Sequence, residues 1–142
     1  MDAADLTRAY LERAELSKGR LDSADLTQAY LAKATLNKAN LEKARLYRAN
    51  LTRAEMYGAN LNGANLSEAN LTKANLKNAR MGFSGEKTTN LRDANLKETN
   101  LVGVDLTYAS NLTAEQVSMA ITDESTVLPE AVADELRSRG AP

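Results

Sequence analysis

The sequence predicts an all-β solenoid, and three observations predict it. A five-residue unit, Ala-(Asn/Glu)-(Leu/Met)-x-x, runs without a gap across residues 49–80. Leu or Met holds every fifth position from Leu6 to Met81, and Leu returns at positions 91, 96, 101 and 106. A second repeat, of twenty residues, lies on top of the first: DAADLTRAYL at 2–11 recurs as DSADLTQAYL at 22–31, changed only at Ala3/Ser23 and Arg8/Gln28.

The five-residue period excludes the ordinary elements. At about 100° per residue, a step of five carries each Leu roughly 140° around a helix, so no apolar stripe forms. A flat strand fails because five is odd and the next Leu would flip to the opposite face. The chain must therefore turn once per unit. Calling the Leu position i, residues i and i−2 point inward, and i−1, i+1 and i+2 point out. Ala or Gly stands at i−2 in nearly every unit, as at Ala4, Ala9, Ala14 and Gly19, with Thr99 and Val104 late exceptions. Beside a corner there is room for little more than a methyl group. Closure after four units would stack residues 2–11 on 22–31 at about 4.8 Å, although any multiple of five preserves the motif.

Composition bounds the chemistry. The chain has 142 residues, 43% of them apolar but only 4% aromatic, so its core is built of Leu and Ala. Eighteen basic and nineteen acidic residues give a net charge of −1, which singles out no partner. With no Cys and no His, thiolate chemistry, the commonest general base and the commonest transition-metal ligands are missing. No phosphate loop, nucleophile elbow or metal-spaced cluster is present. The expectation is no enzyme activity, no catalytic residue, no metal, no cofactor and no small-molecule substrate. The charged N-terminus lacks an apolar leader and no run approaches the ~18 apolar residues of a membrane span. A cytoplasmic chain without membrane contact is expected.

These units resemble the pentapeptide repeat family, whose motif is a small residue, Asp or Asn, Leu or Phe, then two polar positions. The resemblance runs from Ala4 to about Ala109. It implies a right-handed quadrilateral β-helix of four pentapeptides per coil and about five coils, roughly 25 Å tall at the β spacing. One coil cannot stand alone. Each buried Leu contributes about 1.5–3 kcal/mol, whereas ordering the backbone costs roughly 1–2 kcal/mol per residue, so coupling between coils must supply the rest.

The expected organisation is a β-helix over residues 1–110, with an irregular loop at 82–90, and a C-terminal helical cap over 111–142. At the N-terminal end Leu6, Leu11, Leu16 and Leu21 form an open layer, a pairing hazard. Either self-association, giving a homodimer through an end of the rod, or an upstream segment would cover it. From Asn40 onward Asn dominates i−1, with Asn50, Asn70 and Asn90 expected on one face, Asn75 and Asn95 on another, and Asn60 and Asn100 on a third; ladders of hydrogen bonds are their expected role. Glu86 falls at an i position, where an unpartnered carboxylate could not be buried. Two paths remain. Either Phe83 turns inward and one face becomes irregular, or five residues are left out and later units shift by one face. Beyond Ala109, Thr113 and Gln116 form a capping box for a short helix through about Ala120. An extended piece over 122–128 leads to Pro129 and a second helix carrying Val132 and Leu136, stopped at Gly140.

Sorting by a twenty-residue coil places Arg13, Lys33, Arg53 and Lys73 in one outward column, with Tyr10 and Tyr30 stacked beside it. With Phe83, Glu86 and Lys87 of the loop, these residues make the candidate interaction surface. The same cations also serve solubility alone, and Glu12, Glu15 and Glu55 dilute their field.

The function ranked first is a structural scaffold whose flat faces meet an unidentified protein partner. Second, the family resemblance implies DNA mimicry, in which such proteins bind a type II topoisomerase (gyrase) and protect against quinolones. That mode uses an acidic rod, often with Phe at the centre. Here Leu fills the centres and i+2 is basic at Arg8, Arg13, Lys18, Lys33, Lys38, Lys43, Arg48 and Arg53. Third is nucleic-acid binding through the basic column. Ice binding is discarded, because Thr7, Thr27 and Thr107 do not form an unbroken Thr column.

Overall fold

The computed structural model describes residues 3–82 and 88–140. Up to Arg80 every i−1 residue pairs in parallel with the i−1 residue twenty positions on, as in Asp5 with Asp25, Tyr10 with Tyr30, Glu15 with Thr35 and Arg20 with Asn40. Four columns of pairs therefore run along the molecule, one for each unit of a twenty-residue coil. We name them by their first members, Asp5, Tyr10, Glu15 and Arg20. Each link uses bonds in both directions. Leu6 N donates to Asp25 O at 2.7 Å, and Asp25 N donates back to Ala4 O at 2.9 Å.

Within a coil the backbone turns at every unit. The N–H of the next small residue closes on the carbonyl of Leu, as in Ala9 to Leu6 at 3.0 Å and Ala29 to Leu26 at 3.0 Å. The residue at i+2 carries a positive φ, between 55° and 60° at Arg8, Arg13, Lys18, Lys33 and Glu98, and 63° at Gly58. A positive φ at the third turn residue alone is the type II signature. Most corners place a side chain in a conformation that costs an L-residue roughly 1–2 kcal/mol, and repetition across coils holds it there.

Inward residues form one continuous core. Leu26 through Leu76 at the i positions, and Ala29, Ala34 and Ala39 at i−2, are 0% exposed. Thr89 and Thr99 replace Ala at i−2 and are equally buried. Their hydroxyls donate to the carbonyls of Leu61 and Leu71, each at 2.7 Å, which removes the penalty of burying them. Leu6, Leu11, Leu16 and Leu21 pack against this core but remain partly exposed.

After Met81 the pairing interval changes from twenty residues to twenty-five: Asn65 pairs with Asn90, Asn70 with Asn95, Asn75 with Asn100 and Arg80 with Asp105. Later units are thus shifted by one face, as the second of the two sequence-based paths requires. Gly82 and Thr88 form an antiparallel bridge where the register resumes. Phe83, Glu86 and Lys87, and with them the inward-turned Phe83, lie outside the described residues. The shift corrects the expected Asn columns. Asn95, not Asn90, follows Asn70, while Asn90 follows Asn65 and Asn100 follows Asn75. Asn side chains do form ladder bonds, from Asn60 to Asn40 at 3.1 Å and from Asn90 to Asn65 at 3.3 Å. Their recurring task is more local. The Oδ1 of Asn50, Asn65, Asn70 and Asn95 accepts the backbone N–H two residues on at 3.0–3.1 Å, fixing the turn.

Two helices follow the repeats: α1, Ala114–Ser118, and α2, Glu130–Ser138. Thr113 caps α1 with the reciprocal bond to Gln116 that the capping box predicts, and the helix ends at Ser118 with Met119 as its C-cap, close to the expected end at about Ala120. Gln116 is buried and its Nε2 donates to the carbonyls of Leu91 and Ala94 at 2.7 and 2.9 Å. Between the helices the chain is less extended than expected, with a turn closed by Thr126 N on Asp123 O at 3.0 Å. Ile121 and Val127 pair with Asn100 and Asp105, adding a further level to two columns without carrying the repeat. Val132, Val117 and Ala114 form a small second core that shares Leu112 and Leu128 with the main one.

Candidate interaction face

The side bearing Tyr10 and Tyr30 gathers most of the residues singled out from sequence. The twenty-residue register places the two rings directly in line, with centroids 4.9 Å apart and planes inclined by 4°. Tyr10 is 87% exposed and Tyr30 45%. Below them the column continues as Asn50, Asn70 and Asn95. Unlike its neighbours, which carry Asp5, Asp25, Glu15 or Glu55 at the same level, this central column holds no carboxylate.

Arg13, Lys33, Arg53 and Lys73 line one corner of the face, as the sorting predicts. Their backbone φ values are 60°, 59°, 57° and 60°, and each backbone N–H donates to the next coil, from Arg13 N to Ala32 O at 3.0 Å down to Lys73 N to Lys97 O at 2.9 Å. Phe83, Glu86 and Lys87 lie outside the described residues and are not placed on this face.

The opposite corner completes the arrangement and was missed when only one column was sorted. It carries Arg8, Gln28, Arg48 and Glu68, the i+2 residues of the preceding units, which the same twenty-residue arithmetic puts in line. Arg8 Nε donates to Gln28 Oε1 at 2.7 Å. Arg48 Nε donates to Glu68 Oε2 at 2.6 Å, and its guanidinium lies 4.9 Å from the Tyr47 ring centroid. The Arg48 bond is the main reason that the Glu68 carboxyl sits below its ordinary value, with Tyr47 adding a second donor. Lys73 meets Glu98 at 3.4 Å.

A shallow recess of about 450 Å³ opens beneath Tyr30, lined by Arg8, Gln28, Tyr30, Arg48 and Asn50. A third Tyr in the column would fill it. Asn50 is shorter, and its Oδ1 is held toward the far corner by Thr52 N at 3.1 Å and Thr52 Oγ1 at 2.7 Å. A second recess, about 760 Å³, lies between α1 and residues 92–97 and is lined by groups of both signs, including Arg92, Lys97, Asp93 and Glu115. Among the described residues no group of three Asp and Glu side chains is placed to hold a metal ion, and no helix is long and apolar enough to cross a membrane.

Several solved structures are similar to this chain. A pentapeptide repeat protein of the Arabidopsis thaliana thylakoid lumen is 30% identical over 67% of this chain and 66% of its own, with a TM-score of 0.45. HetL, a pentapeptide repeat protein of the cyanobacterium Nostoc sp. strain PCC 7120 involved in heterocyst differentiation regulation, is 29% identical over 90% of this chain and 69% of its own, with a TM-score of 0.51. Trypsin-treated QnrB1, a plasmid-mediated fluoroquinolone resistance protein, is 20% identical over 90% and 69%, with a TM-score of 0.40. The chain spans about two thirds of the length of each of these proteins. A comparison with curated protein sequences gives no match. Eight copies of the pentapeptide repeats pattern match residues 4–42, 24–63, 49–82 and 89–113. The chain belongs to the pentapeptide repeat family.

Proposed function

We propose that the chain is a non-enzymatic scaffold, a right-handed quadrilateral β-helix over residues 1–110 closed by a helical cap over 111–142, which presents its flat faces to a protein partner in the cytoplasm. One observation carries this reading. Among the described residues, the inward Leu and Ala from Ala24 to Leu106 are at most 3% exposed, while the i−1 residues are held in four parallel columns on the outside. A rigid array of that kind suits recognition by shape and charge, and among the described residues the Leu and Ala filling takes up the space that a dry catalytic cleft would need. The likeness to HetL, a protein of developmental regulation, fits a scaffold acting through other proteins.

Affinity capture from the native host tests the reading, using the wild-type chain beside variants in which one corner column at a time is neutralised. A partner retained by wild type and lost with one column supports a face-specific scaffold. Capture that no column affects counts against it. DNA mimicry of a gyrase substrate ranks lower because cations occupy most corners of the first three coils. Inhibition of gyrase supercoiling at low micromolar protein would reverse that order.

A further inference from the structure

We propose that the Tyr10 face docks an acidic peptide segment of a protein partner, seating one carboxylate in the recess beneath Tyr30. The proposal rests on the scaffold reading above and names the chemistry of its partner.

The charge pattern along the face is uneven. Two corner cations are matched by a carboxylate of the next coil, Arg48 by Glu68 and Lys73 by Glu98. In the first three coils Arg8, Arg13, Lys33 and Arg53 have no such match: no ion pair among the described residues involves them. Glu12 stands on this face itself, and Asp5, Asp25, Glu15 and Glu55 stand in the columns on either side. The intrachain pairs display the contact a partner would supply, a carboxylate laid against a corner cation.

The recess sharpens the assignment. Its two amide oxygens are already engaged, Gln28 Oε1 by Arg8 and Asn50 Oδ1 by Thr52. What remains for a ligand is the Arg8 nitrogens that Gln28 does not take, the Arg48 nitrogens that Glu68 does not take, two amide NH2 groups and the Tyr30 hydroxyl. That is a donor-rich lining with no carboxylate, and a carboxylate accepts several such bonds. Single-stranded nucleic acid fits less well. Strand binding uses a series of aromatic platforms on which successive bases stack, and here Tyr10 and Tyr30 stack on one another at 4.9 Å and the column continues as Asn50 and Asn70.

The test uses a fluorescein-labelled oligoglutamate peptide read by fluorescence anisotropy at low salt. Wild type is compared with Arg8→Gln/Arg48→Gln, and with Lys18→Gln/Lys38→Gln, which removes equal charge from a different corner column. Gln28 already occupies the same corner at φ 57°, so the backbone tolerates the change; thermal melts confirm folding. The expected result is a loss of about tenfold in affinity for the first variant and less than about twofold for the second. Equal losses in both would overturn the proposal, as would absence of binding. So would an oligothymidylate strand bound more tightly and lost with the same variants. If oligoglutamate fails while a captured partner still depends on another corner column, this proposal falls and the scaffold reading stands. If no column affects capture, the scaffold reading falls as well.

Discussion

Asn90 donates its side-chain amide to Asn65 at 3.3 Å although twenty-five residues separate them, where twenty separate the equivalent pair Asn40 and Asn60. The pairing interval is five residues longer there, and Gly82 and Thr88 already lie side by side in a bridge. Removing residues 83–87 joins Met81-Gly82-Thr88-Thr89-Asn90 as a unit in perfect phase. Thr88 would then stand at the corner that demands a positive φ, which a β-branched residue resists. The deletion combined with Thr88→Gly is expected to melt at or above the wild-type temperature, and the deletion alone lower by the equivalent of about 1–2 kcal/mol.

Leu11 and Leu51 occupy the same inward position two coils apart, one partly exposed and the other 0% exposed. Leu51→Ala is expected to cost about 2–5 kcal/mol, the range for a cavity that cannot collapse. Leu11→Ala should cost about 1 kcal/mol, because little of its burial is lost. Chemical denaturation of the two variants measures the difference, and equal costs would show that the first coil is as tightly enclosed as the third.

Lys43 sits at a corner with φ 58°. Glycine relieves a strain of about 1–2 kcal/mol and gives back about 0.5–1 kcal/mol in unfolded-state entropy. Lys43→Gly should therefore stabilise by roughly 0.5–1 kcal/mol, whereas Lys43→Val should destabilise by a similar or larger amount. Denaturant midpoints for the pair, with unchanged slopes, provide the check.

Acid should weaken the fold from its N-terminal coils. Asp25 accepts the Thr27 N–H at 3.0 Å, and Thr27 first, then Arg45 at 3.5 Å, hold its carboxyl below the ordinary value of 3.8. Asp5 is lowered by Thr7 and Glu15 by Ser17 in the same manner. A depressed carboxylate contributes stability that is complete above its unfolded value and lost as pH falls through its folded one. Melting temperature should thus fall on acidification below about pH 4. Asp5→Asn/Asp25→Asn should flatten the drop, because Asn50, Asn65 and Asn70 make the same turn bond without titrating.

The repeat was legible because core and corner are dictated by one short rule. Leu at i and Ala at i−2 leave no other path for the chain, and the pair of near-identical segments at 2–11 and 22–31 marks the coil length. The corner strain was less visible. Arg and Lys at i+2 read as surface charge, and only Gly58, Gly63 and Gly103 at the same position hint at a positive φ. The face was half legible. Sorting one i+2 column finds Arg13, Lys33, Arg53 and Lys73, but the recess depends on Arg8 and Arg48 across the face and on the direction in which Thr52 holds Asn50. The shift after Met81 was open between two paths because five residues keep the phase of the core in either case.

That ambivalence has a consequence for how such a molecule changes over time. Arg80 stands beside Asp105 because five residues are skipped; taken in as one more unit, they would have brought Asn100 there instead. The buried Leu rows keep their phase in either case, since a whole unit with Leu at its centre fits any place. Outside, the same choice rotates every later side chain by a quarter turn. Gain or loss of single units can therefore rewrite the pattern of charges on a rod while its inner filling carries no record of the event.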